Sequence, residues 1–174
     1  QVIKHIDKIG TFNDRSLVRI YANSLASVGD HSRSIKILED YLASKLSSDR
    51  QVELELLELY LIDKNLLLVE KYIDSLLAKD PDNPDTLFKI ANLLHERNLY
   101  KLSEKYLSYI VNENDRVNII RGLNDYMLGN YIESISHFKR VNDFNYKIMA
   151  HVNISSSLNK FYGLEKAFDY LEFV

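Results

Sequence analysis

Four stretches of this chain share one internal layout: "VGDHSRSIKILEDYL" from Val28, "DKNLLLVEKYIDSLL" from Asp63, "RNLYKLSEKYLSYIV" from Arg97 and "LGNYIESISHFKRVN" from Leu128. Their turn residues Gly29, Lys64, Asn98 and Gly129 lie 35, 34 and 31 positions apart, and a weaker copy, "FYGLEKAFDYLEFV", closes the sequence. A period of this size means one small supersecondary unit stacked on itself, because such a unit can bury its apolar face only against its neighbours. The chain is thereby limited to an array.

The units are helical. Only two prolines and five glycines interrupt 174 residues. Leu54, Leu57 and Leu61 follow the helical period, as do Ile90, Leu93 and Leu94, and then Leu102, Tyr106, Leu107 and Ile110. No stretch alternates with the two-residue period of a strand. Where two helices of a unit cross, small side chains let the backbones approach to about 8–10 Å. The first-helix position holds Ala22, Leu57, Ala91, Gly122 and Ser155, and the second-helix position Ser34, Val69, Ser103, Ser134 and Ala167. Larger knobs recur beside them: Tyr21, Leu56, Ile90 and Ile154 on first helices, and Leu38, Ile73, Leu107, Phe138 and Leu171 on second helices.

With this period and these positions, the sequence resembles the tetratricopeptide repeat (TPR) family over residues 15–174. About five units are expected, at 15–48, 50–83, 84–114, 115–147 and 148–174, in a single repeat domain spanning 1–174 and read as part of a longer protein; Gln1 to Asp14 fit the tail of an earlier unit. The resemblance implies an all-α, right-handed superhelical solenoid of antiparallel helix-turn-helix repeats. Two units depart from the pattern. The second has Leu57 and Val69 where small residues are expected, so its helices should sit further apart. The fourth has Arg121 and Asp125 where the family places apolar residues and is about three residues short. Its stripe Ile119, Ile120, Leu123, Tyr126 and Met127 predicts a first helix rotated about its axis.

The segment "KDPDNPD", Lys79 to Asp85, holds both prolines and three acidic residues. It reads as punctuation. The residue before a proline is pushed out of the helical region, so Asp80-Pro81 ends a second helix. Asn83 then caps the next helix, with Pro84 in a first turn where no backbone N–H is needed and Asp85 favoured by the helix dipole. The glycine and bidentate glutamate of an EF-hand loop are missing.

No catalytic constellation emerges. The chain has no cysteine, so disulfides, thiolate nucleophiles and Cys-based zinc sites are excluded. His5, His31, His95, His137 and His151 fall on different elements without a second ligand at metal spacing, and "HERNL" from His95 has Leu99 where a zinc-protease helix needs histidine. Phosphate-loop, dinucleotide and nucleophile-elbow motifs do not occur. Ser155, Ser156 and Ser157 read as small packing residues. The expectation is a non-enzymatic chain with no cofactor and no metal. A net charge of -3 argues against a nucleic-acid backbone as partner. Residues 49 to 85 carry ten acidic and four basic side chains, a solvated face or a docking patch for a basic partner. No apolar run spans a membrane, the chain opens on Gln1 without a signal-like segment, and cytoplasm and periplasm are both compatible.

Surface remains. In the TPR register the first helices line a concave groove, and the residues facing it would be Arg19 and Asn23, then Leu54, Glu55, Glu58 and Leu61, then Phe88, Lys89, Asn92 and His95, and Tyr126 with Ile119 and Leu123. Leu54 and Phe88 read equally as groove or core, while Ile119, Leu123 and Tyr126 lean to the core. Tyr100 and Tyr131 fall where the family's aromatic closes the hairpin. An apolar floor with polar handles suits an extended peptide or a partner helix. Chaperone-binding family members clamp a terminal carboxylate; Arg19, Asn23 and Lys89 match that pattern, but Glu55 and Asp85 stand where it needs amide and cation. The reading is a protein-interaction scaffold within a multiprotein assembly. A regulatory or substrate-selecting arm of an enzyme is the alternative, and an RNA-binding helical repeat would need a basic groove. Self-association through Phe168, Leu171 and Phe173 of the cut last repeat is also compatible.

Overall fold

The computed structural model describes residues 14–174, with 63 and 65 excepted. Among these residues the chain forms ten α-helices in five consecutive pairs and no strand: α1 (Arg15–Ser27) with α2 (His31–Ala43), α3 (Arg50–Ile62) with α4 (Leu66–Leu77), α5 (Pro84–Glu96) with α6 (Tyr100–Leu107), α7 (Asp115–Leu128) with α8 (Tyr131–Lys139), and α9 (Phe144–Tyr162) with α10 (Leu164–Glu172). They group into two compact units, one ending at Pro81 and holding α1 to α4, the other, Asp82–Val174, holding α5 to α10.

Each turn is set by local chemistry. Gly29, Lys64, Asn98, Gly129 and Gly163 follow the first helices of the five pairs, and all have positive φ, at 85°, 56°, 61°, 85° and 95°. In three of the turns the next amide reaches back five residues: Asp30 N to Leu25 O, Leu99 N to Leu94 O and Asn130 N to Asp125 O, at 2.9, 2.9 and 2.8 Å. This left-handed closure satisfies the last carbonyls of a helix and favours glycine or asparagine. Lys64 alone among the five is a residue with no natural preference for it. The first helices of the pairs start on side-chain caps. Asn83 Oδ1 accepts from Thr86 N at 3.0 Å with Pro84 in the first turn, and Asn114 Oδ1 accepts from Val117 N at 3.1 Å. Tyr100 and Tyr131 close their hairpins from the second-helix side, their rings 5.5 Å from His95 and 5.6 Å from Tyr126.

The helix crossings repeat a buried hydrogen bond. Ser34 Oγ donates to Ala22 O, Ser103 Oγ to Ala91 O and Ser134 Oγ to Gly122 O, each at 2.8 Å and each twelve residues back along the chain. In the last pair the hydroxyl changes sides, Ser155 Oγ donating to Ala167 O at 3.3 Å. These residues are therefore small for two reasons. They let the helices touch, and the hydroxyl finds an acceptor where water is excluded. In α3/α4 the pair is Leu57 and Val69, both fully buried, and the backbones of that hairpin approach each other most sparsely of the five.

In the first unit, α3 buries residues on nearly every side: Val52, Leu54, Leu56, Leu57, Leu59, Tyr60, Leu61 and even Glu53. In the second unit, Ile119, Ile135, Phe138, Val141, Ala150 and Ile154 form one cluster joining α7, α8 and α9, with Leu123, Leu158 and Tyr170 against it. The pattern of second-helix knobs holds for Leu38, Ile73, Leu107 and Phe138, all essentially inaccessible, but Leu171 is 45% exposed because nothing described covers α10.

Two sequence expectations change here. Helix α7 is not rotated: Gly122 meets Ser134 as Ala91 meets Ser103, and Met127 of the supposed inner stripe is exposed. Arg121 keeps its inward position because partners follow it in. Its guanidinium donates to Leu107 O at 3.0 Å and lies 3.4 Å from Glu104 and 3.0 Å from Glu113. The missing residues of the short period are taken from α6, only eight residues long. Helix α9 begins at Phe144, with Asp143 capping Asn145 N at 2.8 Å, so a unit boundary at 147/148 falls inside that helix.

Candidate partner-binding face

The expected site residues separate into three groups. Leu54 and Leu61 are core, 8% and 4% exposed. Their assignment to a groove is corrected by the packing of α3, whose stripe is wider than one face because neighbours cover several sides of it. Ile119 is likewise buried, and Leu123 is packed against the second-unit cluster.

A second group is at the surface but spent on neighbours. Arg19 Nε donates to Glu55 Oε1 at 2.7 Å, and Gln51 Nε2 donates to the same oxygen at 3.2 Å. The bond to Glu55 raises the Arg19 pKa, and the cation that would receive a peptide's terminal carboxylate is already neutralised. Lys89 Nζ pairs with Asp85 at 2.6 Å, one helical turn away. This exposed pair adds little to stability.

A third group forms a partly open row on α5 and α7 of the second unit. The Arg116 guanidinium lies 4.2 Å above the half-buried Phe88 ring, a cation–π contact that leaves part of the aromatic surface accessible. Asn92 Nδ2 donates to Glu96 Oε1 at 2.7 Å. His95 Nδ1 donates to Asn124 Oδ1 at 2.8 Å, fixing its tautomer, and Tyr126 stands half-buried edge-on to Tyr131. In the first unit Asn23 is exposed and Glu58 half-buried.

Behind this row lies a polar layer that the sequence reading did not find. Asn124, fully buried, donates through Nδ2 to Ser103 Oγ at 3.0 Å while accepting from His95, so one amide ties α5, α6 and α7 together. Ser134 Oγ and Ser157 Oγ make the matching link from α8 to α9 at 3.1 Å. Their signal was present in the spacing, since Asn124 and Ser157 follow the crossing serines by 21 and 23 residues. His137 sits beside this layer, with Asp125 Oδ2 3.5 Å from its Nε2. Burial pushes its pKa below the ordinary value of 6.5, with Asp125 opposing the shift. Burial also raises Glu104, against the pull of Arg121.

Among the described residues no group of three or more His, Cys, Asp or Glu is placed to hold a metal ion, and no helix is long and apolar enough to cross a membrane. The arrangement offers a row of aromatic, amide and imidazole groups on a rigid scaffold, without a nucleophile and base brought together.

The class defined by this architecture is a helical-repeat protein. MamA from Desulfovibrio magneticus RS-1, residue 41 to the end, is similar with a TM-score of 0.65 at 13% identity, over 94% of this chain and 94% of that one. MamA of MSR-1 gives 0.58 at 20% identity, over 89% and 91%, and MamA of AMB-1 gives 0.59 at 21%, over 90% and 94%. Identities this low speak for the fold alone: all-α, built from antiparallel helix-turn-helix hairpins. No family model and no curated protein matches the sequence.

Proposed function

We propose that the protein is a non-catalytic interaction scaffold, binding an extended peptide or a helix of a partner protein along the first-helix faces of its hairpins. One observation carries the reading. On α5 the residues split cleanly, with Leu87, Ile90, Ala91 and Leu94 buried while Phe88, Lys89, Asn92 and His95 stay at least partly open. The buried set holds the scaffold, and the open set presents aromatic surface with polar handles on a helix already ordered before binding, which reduces the ordering cost of association. Asn23, Arg19, Glu55 and Glu58 form the corresponding face of the first unit, and Tyr126 extends that of the second. The partner is a protein rather than a nucleic acid, since the first-unit face carries Glu55 and Glu58. Self-association is a second mode, through Phe168 and Leu171 on the exposed side of α10 and Phe173 just past its end, which are 58%, 45% and 90% accessible.

Selection from a random peptide display library with the whole chain tests the reading. Enriched peptides should lose affinity several-fold for Phe88→Ala and Asn92→Ala, while the unfolding midpoint of Asn92→Ala stays unchanged. Peptides that bind these variants as they bind the parent would overturn it. Concentration-dependent scattering, lost in Phe168→Ser, tests the second mode.

A further inference from the structure

The first unit holds a cleft of about 580 Å³ lined by residues of α2, α3 and α4 and of the turn between α2 and α3, and by none of the proposed face. That volume lies well inside the range of about 300–1,000 Å³ found for ligand sites. Leu42 and Leu56 give it apolar surface, Tyr60 and Tyr72 an aromatic wall, and Glu39 and Glu53 two carboxylates. The wall is held rigidly. The two rings meet edge to face with centroids 5.1 Å apart, the Tyr60 hydroxyl donates to the Glu39 carboxylate, and the Tyr72 hydroxyl donates to the Glu53 carbonyl at 3.3 Å. Burial raises both phenols above their ordinary value, so the rings stay neutral.

What the cleft recognises is visible in how the chain already uses it. The Glu53 side chain is only 3% exposed, accepts from Ser48 Oγ at 2.8 Å and lies 3.4 Å from Arg50. Its other oxygen takes the ammonium of Lys79 at 2.5 Å, from a side chain that is 52% exposed and arrives from beyond the end of α4. A half-solvated lysine thus reaches a buried carboxylate in a cleft that two tyrosine rings also line. Lys45, also at its edge, directs its ammonium to the Tyr41 ring at 4.6 Å. Glu39 stands exposed at the rim. Carboxylate, π-face and apolar floor together suit an ammonium or guanidinium on an alkyl stem. The surplus of acidic over basic residues across 49–81 of this unit, eight against four, draws such a group in.

We propose that this cleft is a separate binding site for a lysine or arginine side chain of a partner polypeptide, which displaces Lys79 from Glu53 and lays its stem against Tyr60 and Tyr72. Lys79 acts as an internal stand-in for the ligand. The inference does not depend on the first-helix reading, because no residue of that face lines the cleft.

The test is an NMR titration of the isotope-labelled whole chain with the blocked pentapeptide Ala-Leu-Lys-Leu-Ala and with its norleucine counterpart, which keeps the stem and loses the charge. The lysine peptide should shift amides of Lys45 to Ser48, Glu53, Tyr60 and Tyr72 saturably, and norleucine should bind several-fold more weakly. Glu39→Gln should weaken the lysine peptide several-fold without altering the fold. Lys79→Ala, provided its spectrum stays dispersed, should tighten it by removing the competitor, and if that variant unfolds the Glu39→Gln result decides alone. Equal binding of both peptides, shifts spread over the acidic surface, or indifference to Glu39→Gln would overturn the proposal.

Discussion

Hairpins α3/α4 and α7/α8 meet the same requirement with opposite materials. In α7/α8 the crossing is built from Gly122 and Ser134, the backbones touch, and the Ser134 hydroxyl satisfies Gly122 O at 2.8 Å. The space saved by glycine is taken by Phe138, whose ring would lie 2.8 Å from any Cβ added at Gly122. In α3/α4 the crossing is Leu57 over Val69, branched side chains with no hydroxyl, and the helices approach less closely. The hairpin can thus be held by contact plus one buried hydrogen bond or by bulk alone. The two materials differ in tolerance: the first depends on exact fit at three residues, and the second is ordinary apolar packing that adjusts.

Substitutions can break or sharpen that contrast. Phe138→Ala has the largest expected effect, a loss of about 3–5 kcal/mol in denaturant unfolding, because a ring at the centre of the second-unit cluster leaves a cavity. Gly122→Ala should follow at about 1–3 kcal/mol through overpacking, and adding Phe138→Leu should restore part of that loss; a double mutant worse than the sum would break the fit argument. Ser134→Ala should lose about 1–2 kcal/mol, since Gly122 O is left buried without its donor. At Lys64, whose φ is 56°, Lys64→Gly should gain about 0.5–1 kcal/mol by releasing left-handed strain. The smallest effect is in pH dependence. His137 has its folded pKa depressed by burial, so from its ordinary value of 6.5 downward the unfolded chain binds more protons and stability falls as pH falls. The raised pKa of Glu104 works the other way, adding stability as pH drops below its folded value towards 4.5. His137→Gln should therefore flatten the acid-side decline in melting temperature, and an unchanged slope would remove His137 as its source.

Much of the fold could be read before any coordinates, because it rests on local chemistry. A left-handed turn residue, a capping asparagine ahead of Pro84 and a small residue at each crossing are properties of a few neighbouring positions, and Gly29, Asn98, Asn83 and Ser103 carry them openly. Failures came where the deciding partner is distant. Arg121 looks misplaced in an apolar helix until Glu104, Glu113 and Leu107 O are found beside it. Leu54 and Leu61 share a helical stripe with other leucines, and periodicity tells which residues share a face but not how many faces the neighbours cover. The cleft around Glu53 was illegible for the same reason, since Lys79 lies 26 residues away from the carboxylate it meets.

The contact between Gly122 and Phe138 also restricts the order in which this sequence can drift. Any side chain arriving at 122 collides with a ring already in place, whereas a smaller residue at 138 is merely loosely packed. Divergence at the pair must begin with the aromatic shrinking, and a lineage that has kept the phenyl group has closed the other route.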